Sequence, residues 1–153
     1  MKSIRESRKN LGRIVKRLIG RITRRQSAPA QCKQDDIMFR RMEEVICSSK
    51  LFCRKSLSLE LLAGELHTNR NYVSGLLHRR GYSFSAYING FRVQYAILLL
   101  CCSTDDDMSA EAIADACGFM SVRTLNYYLR KTFGLSFSIL RKRVRTVALD
   151  NQA

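Results

Sequence analysis

The 153 residues allow one domain or two small ones, enough for a modest core but too few for a large enzyme with a deep cleft. Twenty-seven Lys and Arg against 13 Asp and Glu leave a formal net charge of +14, a bias toward polyanions, nucleic acid first and anionic membrane second. With one Pro, eight Gly and most apolar residues at helical spacing, the expected class is all-α.

The chain opens on a basic amphipathic segment. Residues 1 to 25 carry ten Lys and Arg against the single Glu6, and Leu11, Ile14, Val15, Leu18, Ile19 and Ile22 recur at spacings of three and four. Its sequence fits a solvent-exposed tail, a phosphate-binding arm, a helix lying on an anionic membrane, or a seam for a partner helix. Gln26 to Lys33, with Ser27 and Pro29, reads as a linker. A helix is then expected from Asp35 to about Lys50, opening on the acidic first turn of Asp35 and Asp36 and burying Met38, Met42, Val45 and Ile46. Leu51 to Leu57 reads as a connecting loop.

Ser58 begins a pattern that occurs twice. Ser58, Glu60, Leu62, Ala63 and Leu66 match Ser109, Glu111, Ile113, Ala114 and Cys117 at a constant offset. Val73, Leu76 and Leu77 match Leu125, Tyr128 and Leu129 with one residue added in the second turn, and Gly81-Tyr-Ser-Phe-Ser85 parallels Gly134-Leu-Ser-Phe-Ser138. The chain therefore contains two copies of one supersecondary unit, roughly fifty residues apart. In the first copy the turn runs through His67, Thr68 and Asn69, and a second helix from Arg70 to about Arg80 turns Tyr72, Val73, Leu76 and Leu77 inward. Its outward row is Asn71, Ser74, Gly75 and His78, with Arg70 and Arg79 at the flanks. Gly75 removes a side chain from the middle of that row.

Between the copies Phe84, Ile88, Phe91, Tyr95, Leu98 or Leu99, and Cys102 recur at helical spacing, which predicts one long apolar helix packing against both units. A rigid spacer is what two reading helices on one face of a duplex need, about one turn or roughly 34 Å apart. Asp105 to Asp107 form an acidic loop that should face away from any polyanion.

The second copy is the sharper one. Ser109 should cap a helix with Glu111 in its first turn, Ile113, Ala114 and Cys117 should face inward, Gly118 should supply a left-handed turn, and Phe119 should pack beneath it. In the helix that follows, Leu125, Tyr128, Leu129 and Thr132 form the expected buried stripe, leaving Arg123, Asn126, Tyr127 and Arg130 on the opposite face. Such a row suits a major groove, where Arg pairs with guanine, Asn with adenine, and a second Arg holds phosphate. A last helix from Ser136 through Arg145 carries Arg141, Lys142, Arg143 and Arg145, placed to reach backbone phosphate or solvent.

The six cysteines, at positions 32, 47, 53, 101, 102 and 117, include no CxxC pair and no Cys/His spacing suited to zinc, so they read as reduced thiols in a reducing cytoplasm. The apolar run from Tyr95 to Cys102 is far too short to span a bilayer. His67 and His78 have no carboxylate pair or Gly-rich phosphate loop beside them, which argues against an enzyme. No metal or cofactor is expected.

From about Asp35 to Lys142 the chain resembles the DNA-binding domain of AraC/XylS-type bacterial transcription regulators. The resemblance rests on SLELLAGELHTNRNYVSGLL followed by SFSAYINGFRVQYAILLL, then on SAEAIADACGFMSVRTLNYYLRKTFGLSFSILRK. It implies a seven-helix domain, homeodomain-like in each half: two helix-turn-helix units, about 58–80 and 109–133, joined by a linker helix at about 84–102, with the whole domain spanning 35–145. The implied activity is binding of double-stranded DNA in successive major grooves to regulate transcription, with RNA polymerase as the further partner. By position, the implied base-reading sites are Asn69, Arg70, Asn71, Ser74 and Gly75 in the first unit and Val122, Arg123, Thr124, Asn126 and Tyr127 in the second. His78, Ser121 and Arg130 join them from the outward rows and the turn. The chain departs from the family at Phe137 (usually Pro), at Gly75 (usually Arg or polar), in a loop one residue short before Gly81, and at Leu125 and Leu129 (commonly Phe). It resembles stand-alone members, or a regulator that has lost its sensor half, acting as a monomer or weak dimer. The alternative from another class is a membrane-associated or partner-binding adaptor that uses the basic N-terminal helix and keeps the rest as a scaffold.

Overall fold

The computed structural model describes residues 31–102 and 108–150, with side chains described from 33 to 101 and from 108 to 144. The basic segment 1–25 and the acidic run 105–107 lie outside the described residues. Among those described there are seven α-helices, one 3₁₀ turn and no strand: α1 (Gln31–Ser48), the 3₁₀ turn (Leu51–Cys53), α2 (Leu59–Glu65), α3 (Arg70–Arg79), α4 (Phe84–Cys102), α5 (Ala110–Ala116), α6 (Val122–Phe133) and α7 (Phe137–Asp150).

The two copies fold alike down to their hydrogen bonds. Ser58 caps α2 by accepting from the Leu61 N–H at 3.2 Å, and Ser109 caps α5 by accepting from Ala112 at 3.1 Å. Each first helix ends with the same pair of backbone bonds, His67 N–H to Gly64 and Thr68 N–H to Ala63 in one copy, Gly118 N–H to Asp115 and Phe119 N–H to Ala114 in the other. These bonds satisfy the carbonyls that a helix end leaves without partners. Both turn residues adopt positive φ, 53° at His67 and 79° at Gly118. Asn69 and Ser121 then cap the second helices, accepting from Tyr72 and Thr124.

The core is two clusters strung along α4. Tyr87, Ile88 and Phe91 join Phe39, Met42, Ile46, Leu62, Leu66, Val73, Leu76 and Leu77, while Val93, Ala96 and Leu100 join Ile113, Ala114, Cys117, Phe119, Leu125, Leu129 and Phe137. Half-buried Tyr95 touches both. At about 1.5–3 kcal/mol for each large side chain removed from water, α4 is the main source of cohesion for both halves. The first cluster is also aromatic: Phe39, Tyr87, Phe91 and Phe52 form a chain of rings with centroids 5.2 to 6.0 Å apart.

Several expectations are corrected. The helix expected from Asp35 begins at Gln31, so the last residues of the expected linker are helical and Asp35 and Asp36 lie past the first turn. Their carboxylates instead hold Arg79 and Arg80. That helix buries Phe39, at 3% exposure, where Met38 and Val45 are only half-buried. The stretch expected to be a loop at 51–57 is part of the core, with Leu51, Phe52 and Leu57 buried. Thr132, expected in the buried stripe of α6, is exposed, because that stripe loses cover in the last turn of the helix. On α4 the expected inward residues Phe84, Leu98 and Leu99 are only half-buried, and Tyr87, Val93, Ala96 and Leu100 carry the packing.

Candidate nucleic-acid interface

Two exposed helix faces, on α3 and α6, carry the residues singled out from the sequence. On α6 the buried residues Leu125 and Leu129 fix the orientation, and the opposite side presents Arg123, Tyr127, Arg130 and Lys131, all exposed. With half-buried Asn126 these four line one shallow, solvent-open depression. Tyr127 is 58% exposed, its ring edge-on to Tyr128 at 5.0 Å, and the Lys131 ammonium lies 5.9 Å from its centroid. An exposed aromatic held between a ring and a cation is pre-ordered, so it loses little entropy on contact with another surface.

Asn126 has a further tie. Its Oδ1 accepts from the Phe137 N–H at 2.9 Å, so it satisfies one of the open donors at the start of α7. The oxygen that bidentate pairing with adenine would use is thus already bonded within the chain. Thr124 is half-buried, 3.0 Å from the Ser121 hydroxyl, and Ser121 spends its oxygen on the cap. Lys131 lies outside the row expected from the sequence, although its spacing of four from Tyr127 puts it on the same face. On α7, the Arg141 guanidinium lies over the Phe137 ring at 5.2 Å, Lys142 and Arg143 are exposed, and the Arg145 side chain is outside the described residues.

On α3 the row Asn71, Ser74 and His78 is exposed, and Gly75 is half-buried at its centre. The space a β-carbon would take at Gly75 is met by Arg79 Nη1 at 3.1 Å. Arg79 is held there by a forked contact with Asp35, Nε to Oδ2 at 2.8 Å and Nη2 to Oδ1 at 3.0 Å, and Tyr72 donates its hydroxyl to the same carboxylate at 3.3 Å. Burial, then the Asp35 charge, pushes the Tyr72 hydroxyl up, so it stays a donor. Arg80 pairs with Asp36 and lies 4.1 Å over the Phe39 ring. Arg70 pairs with Glu60 at 3.0 Å, and backbone and Ser58 hydrogen bonds hold the Glu60 carboxyl below its usual range.

The two faces therefore differ in charge. Every arginine of α3 and its C-cap is paired with a carboxylate of the same chain, while among the described residues no salt bridge engages Arg123, Arg130 or Lys131. The Arg70 pair is exposed on both sides and weak, whereas the Arg79 pair is forked and its Asp35 carboxylate is only 15% exposed, although the guanidinium side remains open to solvent. Among the described residues no group of three His, Cys, Asp or Glu could hold a metal ion, and no helix is long and apolar enough to cross a membrane.

The model of a family described as a helix-turn-helix domain matches residues 62–143. The chain shares its fold with solved structures at modest identity. One is the crystal structure of a DNA-binding transcriptional dual regulator from Escherichia coli K-12, 24% identical, covering 69% of this chain and 96% of that one with a TM-score of 0.60. Another is the C-terminal domain of AraT, a response regulator from Geobacillus stearothermophilus, also 24% identical, covering 69% and 84% with a TM-score of 0.59. A third is the C-terminal domain of the two-component response regulator yesN from Fusobacterium nucleatum, 21% identical, covering 73% and 99% with a TM-score of 0.52. No curated protein sequence matches the chain.

Proposed function

Because the chain belongs to the AraC-type helix-turn-helix family, a family of DNA-binding transcription regulators that are not enzymes, we propose that it reads a specific double-stranded DNA site through two successive major grooves. The observation that carries this reading is the row on α6: Arg123, Tyr127, Arg130 and Lys131 stand exposed and clear of internal carboxylates on one helix face. Arg123, near the start of α6, offers the forked donors that match guanine in the major groove. Arg130 and Lys131, a turn further on, hold phosphate. The first unit adds Asn71, Ser74 and His78, while Asn69 and Ser121 present the capped N-termini of the two reading helices toward phosphate.

The charge difference between the faces makes the second unit the principal reader and the first an orienting one. Two unlike readers on one chain call for an asymmetric site occupied by a single molecule, with transcription altered by contact with RNA polymerase or by its occlusion. The basic residues 1–25 add phosphate contacts outside the described residues.

The test is selection of bound sequences from a random duplex pool at physiological salt, repeated with Arg123→Ala and Arg70→Ala. An asymmetric site should be enriched. Arg123→Ala should erase preference at one position, a loss of about 1–3 kcal/mol, whereas Arg70→Ala should cost less and act evenly across sequences. A pool that yields no enriched sequence would sink the proposal.

A further inference from the structure

The junction between the two units is built from one short segment of the first half. Three successive carbonyls at the end of the 3₁₀ turn face the shared helix α4 and the turn of the second unit. Arg92 of α4 donates from Nε to the Phe52 carbonyl at 2.6 Å and from Nη2 to the Arg54 carbonyl at 2.9 Å. Between them, the Cys53 carbonyl lies against the turn of the second unit so closely that a β-carbon on Gly118 would sit 2.4 Å from its oxygen. The remaining Arg92 nitrogen, Nη1, donates to Asn89 Oδ1 at 3.1 Å, and the guanidinium lies 5.9 Å from the ring of buried Phe119. Lys55 and Asp115 form an ion pair across the same junction.

Apolar packing along α4 alone would leave each unit some freedom to roll about that helix, since side chains slide at small cost. Hydrogen bonds to fixed carbonyls are directional and remove that freedom. Leu51 and Phe52 are anchored in the first cluster, and Gly118 and Phe119 lead directly into α6. The path from first core to second reading helix is thus a few residues long. Only a planar fork with donors on three nitrogens can span two backbone carbonyls and a side-chain amide together; a lysine ammonium has the charge but not the span.

We propose that Arg92 is a positioning residue that locks the second reading helix against the first through the Phe52, Cys53 and Arg54 carbonyls, and thereby sets the spacing of half-sites the protein accepts. The proposal deepens the two-groove reading above and rests on it for its consequence on DNA, but the lock itself is a property of the free protein.

Both can be measured on the full chain with Arg92→Met and the milder Arg92→Lys. In the free protein, residual dipolar couplings from the two units should fit one common alignment tensor for wild type. They should require two unequal tensors for Arg92→Met, or for Arg92→Lys should the first variant not fold. On duplexes carrying the selected site, moving the half-sites apart by one base pair should weaken wild-type binding about tenfold, and the same change should cost Arg92→Met no more than about threefold, with base preference within each half-site retained. A common tensor in both variants, or an unchanged spacing profile accompanied only by a lower melting temperature, overturns the proposal. Selection of a half-site for the second unit alone would instead refute two-groove reading, and the dipolar couplings would still decide the lock.

Discussion

Gly118 answers to two constraints at once, a φ of +79° that disfavours any side chain and a backbone carbonyl occupying the place its β-carbon would take. Left-handed strain and the overlap should together make Gly118→Ala cost about 3 kcal/mol, lowering the melting temperature by more than about 10 °C. Gly64, exposed inside α2 with nothing near its would-be β-carbon, is the control: Gly64→Ala should stabilise by about 0.5–1 kcal/mol and raise the melting temperature in the same scan. The conformational half of the Gly118 requirement was legible in the sequence, because a glycine after an apolar helix pattern marks a helix exit. The close approach was not, since its partner lies 65 positions away in a stretch that reads as a loop. Asn126 shows the same limit. Its place on the outward face follows from helical spacing, but its bond to the Phe137 N–H depends on how α7 returns against α6, which no local pattern encodes.

Among the elements, α1 has a role that its sequence conceals. Asp35 and Asp36 read as dipole-complementing residues of a first turn, yet the helix starts earlier and the two carboxylates restrain the C-terminal end of the first reading helix. Asp35→Asn should release Arg79 toward solvent and phosphate. Binding to any duplex should then tighten, and the plot of log affinity against log salt should steepen by about 0.9, one added phosphate contact; an unchanged slope would count against the charge difference between the two readers. On α5, burial pushes the Cys117 thiol up to about 12. The folded chain keeps that proton where the unfolded chain loses it, so the contribution is intact below the ordinary thiol range and drains away as pH rises toward 12. Unfolding free energy should fall by about 1.4 kcal/mol per pH unit between roughly pH 9 and 12, and the slope should be shallower in Cys117→Ala when urea titrations at pH 8 and pH 10 are compared. Tyr87, raised by burial and the nearby Glu43, adds a loss of the same sign at higher pH.

At the scale of the molecule, two clusters share one helix and one polar junction, so neither half has its full set of contacts without the other. Thermal unfolding should be a single transition with equal calorimetric and van't Hoff enthalpies, and two resolved transitions would show that the junction does not couple the halves. The architecture was legible because it is repetitive: caps, exits and apolar spacing recur, and each recurrence removes an alternative. The helix between the copies was legible too, but its polar junction with the 3₁₀ turn was not, since Phe52, Arg54 and Arg92 meet through backbone carbonyls that carry no sequence signature. The junction also makes exchange between the copies one-directional. His67 turns its imidazole to open solvent, so a glycine-bearing turn transplanted from the second unit would fit the first without steric cost. The reverse graft would place a histidine β-carbon about where Gly118 leaves room only for hydrogen, 2.4 Å from the Cys53 carbonyl oxygen. Two units that look like duplicates are therefore not interchangeable at their turns: a glycine suits both, but a histidine only the first.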